Sequence, residues 1–288
     1  MYQICPCCKS KKVDPLITIN EFDYYRCLTC DTLFIDIVYL TKIDNGYKIV
    51  KYEEKHWKME LEGKKQLSYG PALARLAEAI YYCKRPIKKF LDIGTGPGYL
   101  LDAINKLLPN NADVFYGVEL YPPDPIYRTK AKNYIIGDLG NLTDKYDCGI
   151  CIEVIQHLTP TMLNDIFKKL AGISNPDALY IFNTGMPEYV LKEDMGYLEP
   201  TKSGHIVSYS HKAISLMAAV FGFRTHKIIG KTWAFALEFV TNADENIHSE
   251  DIRDRRWHAS EHNLNILSDA NMGSVLKVLG LETSRAYN

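Results

Sequence analysis

Four of the eight cysteines form two closely spaced pairs near the N-terminus. Cys5 and Cys8 make the first Cys-x-x-Cys unit, and Cys27 and Cys30 make the second. Zinc prefers four tetrahedral ligands, which two such units supply when a hairpin brings them together. Because thiolates would fill every coordination position, we predict a closed, structural zinc site that contributes to folding and takes no part in catalysis. Cys7 lies within reach, so an exchange with Cys5 or Cys8 stays open, although Cys5 and Cys8 fit the spacing best.

A run of glycines follows the acidic residue Asp92, at Gly94, Gly96 and Gly98. Bare backbone at these positions lets a ligand approach more closely than any side chain would permit. The run departs from the dinucleotide fingerprint Gly-x-Gly-x-x-Gly, because Tyr99 stands where its third small residue should be. A pyrophosphate site therefore fits this loop poorly.

Three further acids, Glu119, Asp138 and Glu153, each follow a short apolar run that is predicted to be a strand. Carboxylates accept hydrogen bonds from ribose hydroxyls and exocyclic amines. Together with aromatic rings they also suit a cationic ligand better than a lysine-rich phosphate site does. The residue types therefore suit a polar cationic ligand better than a phosphate.

The elements that must position these residues alternate between short apolar strands and helices. Such alternation predicts an α/β fold with a doubly wound, mostly parallel sheet of seven strands. In sheets of this kind ligands bind beyond the carboxyl ends of the strands, where the glycines and the acids would meet. The predicted strands are 89–93, 114–118, 134–136, 148–152, 179–182, 224–230 and 233–241, the last two as an antiparallel hairpin at the sheet edge.

Helices are predicted at about 65–83, with a break at Gly70–Pro71, after Gly98, from Thr159–Pro160 onward, and over 211–221. Residues 13–26 carry enough β-forming residues for the hairpin of the cysteine module, and 31–62 are predicted to be a linker. The expected domains are a zinc-ribbon-like module (1–40), a linker with an N-terminal helix (41–84), the α/β domain (85–242) and a helical C-terminal extension (243–288).

The segment from Asp92 to Gly98 resembles the first motif of class I S-adenosylmethionine-dependent methyltransferases, Asp-x-Gly-x-Gly-x-Gly. The segment from Glu153 to Leu158 resembles the Glu-x-x-x-His-Leu signature of members that act on small molecules. The similarity covers roughly residues 85–240 and implies a Rossmann-like methyltransferase fold, and the four-cysteine module is similar to that of bacterial enzymes acting on sugars. It implies that Glu119 binds the ribose hydroxyls and Asp138 the adenine amino group. The cofactor-binding residues that it implies are Asp92, Gly94, Thr95, Gly96, Gly98, Glu119, Asp138, Leu139 and Glu153.

Methyl transfer is an in-line displacement in which the protein mainly aligns donor and acceptor. If the acceptor is a hydroxyl, a base must take its proton, and His157 and His205 are the candidates. An unperturbed histidine pKa of about 6.5 suits a base at neutral pH. The alternatives are that His157 only shapes the pocket or caps the next helix, and that His205 is an ordinary loop residue. Residues 185–203 are predicted to form a lid over the acceptor. Three prolines after Glu119 are predicted to shorten the helix that usually follows this position in the family.

The formal net charge of −1 provides no overall basic excess for a nucleic-acid partner. We find no secretory signal and no stretch of about 20 apolar residues, so a cytoplasmic protein without a membrane span is expected. Whether the C-terminal extension contacts the core or a second subunit of a homo-oligomer stays open.

The sequence thus predicts a methyltransferase acting on a small polar acceptor, such as the hydroxyl of a sugar or nucleotide sugar. One alternative is an RNA methyltransferase that docks nucleic acid through the zinc module. Residues 1–62 hold nine Lys and Arg against ten Asp and Glu, which disfavours that alternative. The other alternative is a non-catalytic binding protein that retains the cofactor fold.

Overall fold

The structure is a computed structural model that describes residues 3–50, 54–240 and 251–278. It begins with the predicted hairpin, β1 (Val13–Ile19) and β2 (Phe22–Cys27). Asn20 and Glu21 between them both have positive φ (47° and 66°), as a two-residue type I′ turn requires. β3 (Leu33–Ile35) pairs antiparallel with β2.

The predicted linker over 31–62 is wrong, because this region contains regular structure. Besides β3 it holds α1 (Ile37–Asp44), whose first turn is capped by the Asp36 carboxylate accepting from the Val38 N–H at 2.7 Å. It also holds the start of α2 (Glu54–Tyr69). The predicted break at Gly70 is confirmed, because α3 (Pro71–Tyr82) begins directly after it, with proline at the first helical position, where its missing N–H costs nothing.

A seven-stranded sheet forms the centre of the molecule and confirms the predicted fold class. The strand order is β10-β11-β8-β7-β4-β5-β6, and the five strands from β8 to β6 are parallel. Its elements, with those between them, are β4 (Phe90–Ile93), α4 (Tyr99–Leu107), β5 (Phe115–Glu119), β6 (Tyr134–Ile136), β7 (Tyr146–Ile152), α5 (Pro160–Ile173), β8 (Ser174–Asn183), α6 (Pro187–Lys192), β9 (Val207–Ser208), α7 (His211–Ala219), β10 (Phe223–Lys227) and β11 (Ala234–Phe239).

Both faces of this sheet are buried, as a parallel sheet requires. All seven residues of β7 are buried. Alternate residues of neighbouring strands enter two separate cores: Leu91 and Tyr180 belong to one, and Phe90 and Leu179 to the other. The C-terminal hairpin is antiparallel as predicted, but only β10 lies at the edge, because β11 pairs with β8 and occupies an interior position.

The N-terminal hairpin and the α/β domain share a sheet. β9 pairs antiparallel with β3 and completes a four-stranded sheet of order β1-β2-β3-β9. The register places Leu33 opposite Ser208 and Phe34 opposite Val207. A segment that the sequence assigns to the α/β domain therefore belongs structurally to the cysteine module as well.

The described part of the C-terminal extension, residues 251–278, is helical and packs on the core. It contains α8 (Glu261–Ile266) and α9 (Ala270–Val278), preceded by a 3-10 turn over Ile252–His258. Arg255 in this turn is buried and forms two hydrogen bonds with the Glu238 carboxylate of β11, at 2.8 and 3.1 Å. The rest of the predicted extension, 243–250 and 279–288, lies outside the described residues. Within residues 3–50, 54–240 and 251–278, no helix combines the length and the apolar character that crossing a membrane demands.

Candidate active site

The glycine run lies between β4 and α4 and is next to the turn after β7, since a Cβ added at Gly94 would lie 2.5 Å from Val154. We call the region between this loop and that turn the cleft. Gly96 has a φ of 59°, and a Cβ added there would meet only the Lys64 side chain of α2, at 3.8 Å. Gly98 serves packing instead: it has a φ of 81°, and a Cβ would lie 2.3 Å from Thr129. Gly96 is therefore the position at which a ligand has room to contact the loop.

Glu119, at the end of β5, lies directly beside this loop. Its carboxylate accepts hydrogen bonds from the N–H groups of Gly96 and Tyr121, both at 2.8 Å. Asp92 is 6 % exposed, and its pKa is raised to about 7. Burial is the main cause and the nearby Glu119 charge adds to it, while Thr95 opposes the rise. The structure thus brings Asp92 and Glu119 together at the carboxyl edge of the sheet.

Asp138 follows β6 at the same edge, since the Gly137 N–H bonds the Glu119 carbonyl at 2.9 Å. Its carboxylate accepts from the Gly140 N–H at 2.7 Å and pairs with Lys169 at 2.8 Å. Burial alone would raise the pKa of Asp138, but these two donors outweigh it and lower the pKa. Leu139 next to it is buried, 6 % exposed.

Thr95 and the segment after β5 complete this side of the cleft. A Cβ added at Gly117 would lie 2.8 Å from the Thr95 hydroxyl oxygen, so the Thr95 side chain faces the sheet. The prolines after Glu119 have the predicted effect, because the connection to β6 contains only a 3-10 turn, Pro125–Tyr127. Tyr121 in this connection is 80 % exposed.

Glu153 follows β7 and is held by three donors. Asn183 Nδ2 lies 2.9 Å from one carboxylate oxygen, and Gln156 Nε2 and Tyr197 Oη lie 2.7 and 3.1 Å from the other. Burial raises the pKa of Glu153. The residue has a positive φ of 52°, a conformation that costs about 1–3 kcal/mol and persists where surrounding contacts fix it.

The rings of His157 and His205 are neighbours, with centroids 5.0 Å apart and planes tilted by 59°. His157 Nδ1 is 3.1 Å from the Gly204 carbonyl, and His205 Nδ1 is 2.6 Å from the Tyr197 carbonyl. A carbonyl only accepts, so each neutral ring carries its proton on Nδ1 and its lone pair on Nε2. Burial, and then His205, lowers the pKa of His157 to about 3. The expectation of an unperturbed pKa near 6.5 is therefore wrong for His157.

Residues 185–203 form an ordered wall beside the histidines. They contain α6 and a 3-10 turn, Met195–Tyr197, and Val190 and Leu198 are fully buried. The Tyr197 ring lies on Gly185, where a Cβ would come within 2.5 Å of it, and its hydroxyl accepts from the Gly185 N–H at 2.8 Å. Tyr197 and His205 have ring centroids 4.3 Å apart.

The four predicted zinc ligands form one cluster. The sulfur atoms of Cys5, Cys8, Cys27 and Cys30 all lie within 4.8 Å of one another, and Cys7 is not part of the group. Cys8 and Cys30 each donate a backbone N–H to the first sulfur of their own pair, at 3.5 and 3.4 Å. Four sulfurs about 2.3 Å from a tetrahedral zinc would be about 3.8 Å apart. The donor set and its spacing therefore fit that ion.

A family model described as a methyltransferase domain matches residues 62–228, more than half of the chain. The chain belongs to this methyltransferase family. Membership confirms the enzyme class predicted from the sequence, an S-adenosylmethionine-dependent methyltransferase. A search of curated proteins gave no match.

Several solved methyltransferase structures are similar to this chain. A Nostoc punctiforme protein assigned as an O-methyltransferase is 15 % identical, with a TM-score of 0.45, over 61 % of this chain and 60 % of that one. An amino pentose methyltransferase of calicheamicin biosynthesis from Micromonospora echinaspora is 12 % identical, with a TM-score of 0.45, over 66 % and 98 %. The magnesium protoporphyrin IX methyltransferase of Synechocystis is 16 % identical, with a TM-score of 0.41, over 61 % and 84 %.

Three polar residues of this methyltransferase cleft were missed by the sequence reasoning. Lys64 lies above Gly96, and its charge acts on both Glu153 and His157. Gln156 and Asn183 donate to Glu153. Asn183 ends a strand beside Glu153, so the strand-end rule that found the acids would also have found it. Lys64 belongs to no recognisable pattern.

Proposed function

We propose that this methyltransferase methylates a hydroxyl group of a small polar molecule, such as a sugar or nucleotide sugar. The observation that carries the proposal is the pair of histidines beside Glu153, close to the Lys64 side chain, which also lies beside the open backbone of Gly96. S-adenosylmethionine, when bound, supplies a methyl group already activated by its sulfonium. The protein must then align the acceptor and remove its proton.

The cofactor would occupy the edge of the sheet formed by β4, β5 and β6. Glu119 would accept hydrogen bonds from the ribose hydroxyls, and Asp138 one from the adenine amino group, with Leu139 beside the base. The backbone around Gly96 would face the methionine part, and the ammonium group of Lys64 suits its carboxylate. The remaining proposed residues of this site are Asp92, Gly94, Thr95 and Glu153, while Gly98 shapes the loop by its close packing against Thr129.

His157 and His205 are proposed to serve the acceptor. In the neutral form of His157, an attacking hydroxyl can give its proton to the Nε2 lone pair as the hydroxyl oxygen bonds to the methyl carbon. His205 would help to place the hydroxyl beside it. Because the pKa of His157 is about 3, the ring stays neutral throughout the useful pH range. It is also a weak base, so proton transfer must accompany the attack rather than precede it.

Zinc is proposed as the resident ion of the four-cysteine cluster. Cys5, Cys8, Cys27 and Cys30 would fill all four positions, so the ion would stabilise the module and supply no Lewis acid to the cleft. Neither His157 nor His205 belongs to this ligand set.

Calorimetry with S-adenosylmethionine tests the cofactor site. Glu119→Ala should weaken binding by about 1–3 kcal/mol, because ribose hydroxyls lose their acceptor. Asp124→Ala is the matched control, since this exposed acid lies in the same connection, five residues on. Equal affinity of wild type and Glu119→Ala would contradict the site.

The acceptor class is tested by the release of S-adenosylhomocysteine in the presence of a panel of sugars and nucleotide sugars. We expect turnover with at least one hydroxyl acceptor and a large loss of it in His157→Ala, with cofactor affinity retained. Salt-dependent binding of RNA, with methylation of RNA and of no sugar, would replace this proposal by the RNA methyltransferase alternative.

A further inference from the structure

The cysteine module holds the segment that carries His205. Tyr24 of β2, only 1 % exposed, donates its hydroxyl to the His205 carbonyl at 2.5 Å. Asn20, in the turn between β1 and β2, donates to Glu199 Oε1 at 2.5 Å and lies 3.1 Å from Thr201 Oγ1. Both contacts join residues about 180 positions apart in the chain. They reach the acceptor side of the cleft and not the glycine loop.

Ile206, just before strand β9, links the module to the turn that carries His157. The Ile35 N–H donates to the Ile206 carbonyl at 3.0 Å, and the Ile206 N–H donates to the Gln156 carbonyl at 2.9 Å. Two residues further on, Ser208 pairs with Leu33. The backbone beside His205 therefore lies between β3 of the module and the turn that carries His157.

The polar groups of His205 are fixed from several sides. Its N–H donates to the Glu199 carbonyl at 3.0 Å, its carbonyl accepts from Tyr24, and its Nδ1 meets the Tyr197 carbonyl at 2.6 Å. Asn20 acts on the same loop, because Glu199 also accepts from the Ser203 N–H at 2.9 Å. Three restraints on one residue select a single backbone and ring orientation.

We propose that Tyr24 is a positioning residue of the methyl transfer reaction, which sets the orientation of His205 by hydrogen bonding its carbonyl, with Asn20 holding the preceding loop. The inference rests on the proposed function, in which His205 serves the acceptor. On this view the module is part of the acceptor site, although no side chain of the module needs to touch the reacting atoms.

Tyr24→Phe removes the hydroxyl and leaves the buried ring. Tyr25→Phe is the matched control, because it makes the same change on the next residue, whose ring packs against Phe34. In the full-length protein we expect the amides of His205 and Ile206 to exchange with solvent about tenfold faster in Tyr24→Phe, as the loss of about one hydrogen bond predicts. The ¹⁵N imidazole signals of His205 should shift or broaden, and those of His226, which contacts Glu238 of β11 at 2.9 Å, should not.

Asn20→Gly is the second variant, because glycine keeps the positive φ of the turn and removes only the side-chain contacts. It should speed exchange around 199–205 and leave β1 and β2 protected. S-adenosylhomocysteine is the probe for the other side of the cleft, and its Kd should stay within about twofold in both variants.

The outcomes separate the two proposals. Wild-type protein that fails to bind S-adenosylhomocysteine would overturn the proposed function. Normal binding together with unchanged exchange and unchanged His205 signals in Tyr24→Phe would overturn only the positioning role. A similar change in Tyr25→Phe would also overturn it, because the effect would then be a general loosening of the hairpin.

Discussion

The proposed cofactor side and the proposed acceptor side of the cleft are built in different ways. The cofactor side consists of strand ends and one short loop: Asp92 to Gly98 is contiguous, and Glu119 and Asp138 follow neighbouring strands. The acceptor side joins segments from three distant parts of the chain, Tyr24 from the module, His157 after β7 and His205 before β9. One side depends on sheet topology, and the other depends on long-range hydrogen bonds.

This difference implies that the two sides can be disturbed separately. The cofactor side is buttressed by the parallel sheet, whose central strands are buried on both faces. The acceptor side depends on a module too small to bury much apolar surface by itself, so its order should follow the state of the four cysteines. The predictions below test that separation.

Removal of the proposed zinc ion should have the largest effect. Cys30→Ala, or chelation of the wild-type protein, should unfold the hairpin sheet at a cost of several kcal/mol and release the segment around His205. Near-ultraviolet circular dichroism would report the loss of the module's tyrosine environment. The Kd for S-adenosylhomocysteine should stay within about threefold.

Cys7→Ser is the control, because Cys7 lies outside the cluster. If chelation abolished S-adenosylhomocysteine binding as fully as it disordered the module, the two sides would not be separable and the comparison would fail.

Gly96→Ala should produce the opposite pattern. A Cβ at a φ of 59° strains the backbone by about 1 kcal/mol and projects into the space proposed for the cofactor. We expect cofactor affinity to fall by at least about tenfold, measured by calorimetry, while exchange at His205 and Ile206 is unchanged. Gly46→Ala is the control, because Gly46 also has a positive φ, 91°, but a Cβ there would enter open space. A comparable loss of affinity in Gly46→Ala would show that strain alone accounts for the effect.

The acid sensitivity of His157 should give an effect similar in size to that of Gly96→Ala. Its folded pKa of about 3 lies below the unfolded value of about 6.5, so unfolding takes up a proton below pH 6.5. Above pH 6.5 the ring is neutral in both states, so its titration does not change the free energy of unfolding. That free energy falls as the pH drops from 6.5 towards 3. Between pH 7 and pH 5 the loss should be about 2 kcal/mol.

His157→Gln should remove this share of the pH dependence in urea unfolding at the two pH values. His258→Gln serves as the control, because that histidine is exposed. An equal fall in stability for wild type and His157→Gln would mean that the ring is not held neutral by its surroundings.

Sequence patterns predicted which strand ends lie together, for a physical reason. A parallel sheet aligns all its strand ends, so the order of strands along the chain is enough to bring Asp92, Glu119 and Asp138 to one edge. The four-cysteine cluster was likewise predictable, because two Cys-x-x-Cys units joined by a hairpin leave few other arrangements.

The acceptor side was predicted only as a set of candidates. β9 has two residues, too few for any periodicity, and its pairing with β3 is a tertiary event that no local pattern encodes. The pKa of His157 depends on burial and on a histidine 48 positions away. The predicted linker failed for a related reason: helix α2 has few apolar residues in its first turns, so its beginning at Glu54 had no clear signal.

The shared strand also limits how this enzyme can be divided. A chain shortened to begin at residue 54 would lack the partner of Val207 and Ser208, and the main-chain groups of β9 would become an open edge able to pair with other molecules. In an isolated fragment of the first 50 residues, the main-chain groups of β3 that pair with β9 would be left open in the same way. Exchange of the N-terminal part between homologous enzymes should therefore succeed only when the segment 199–212 is transferred with it.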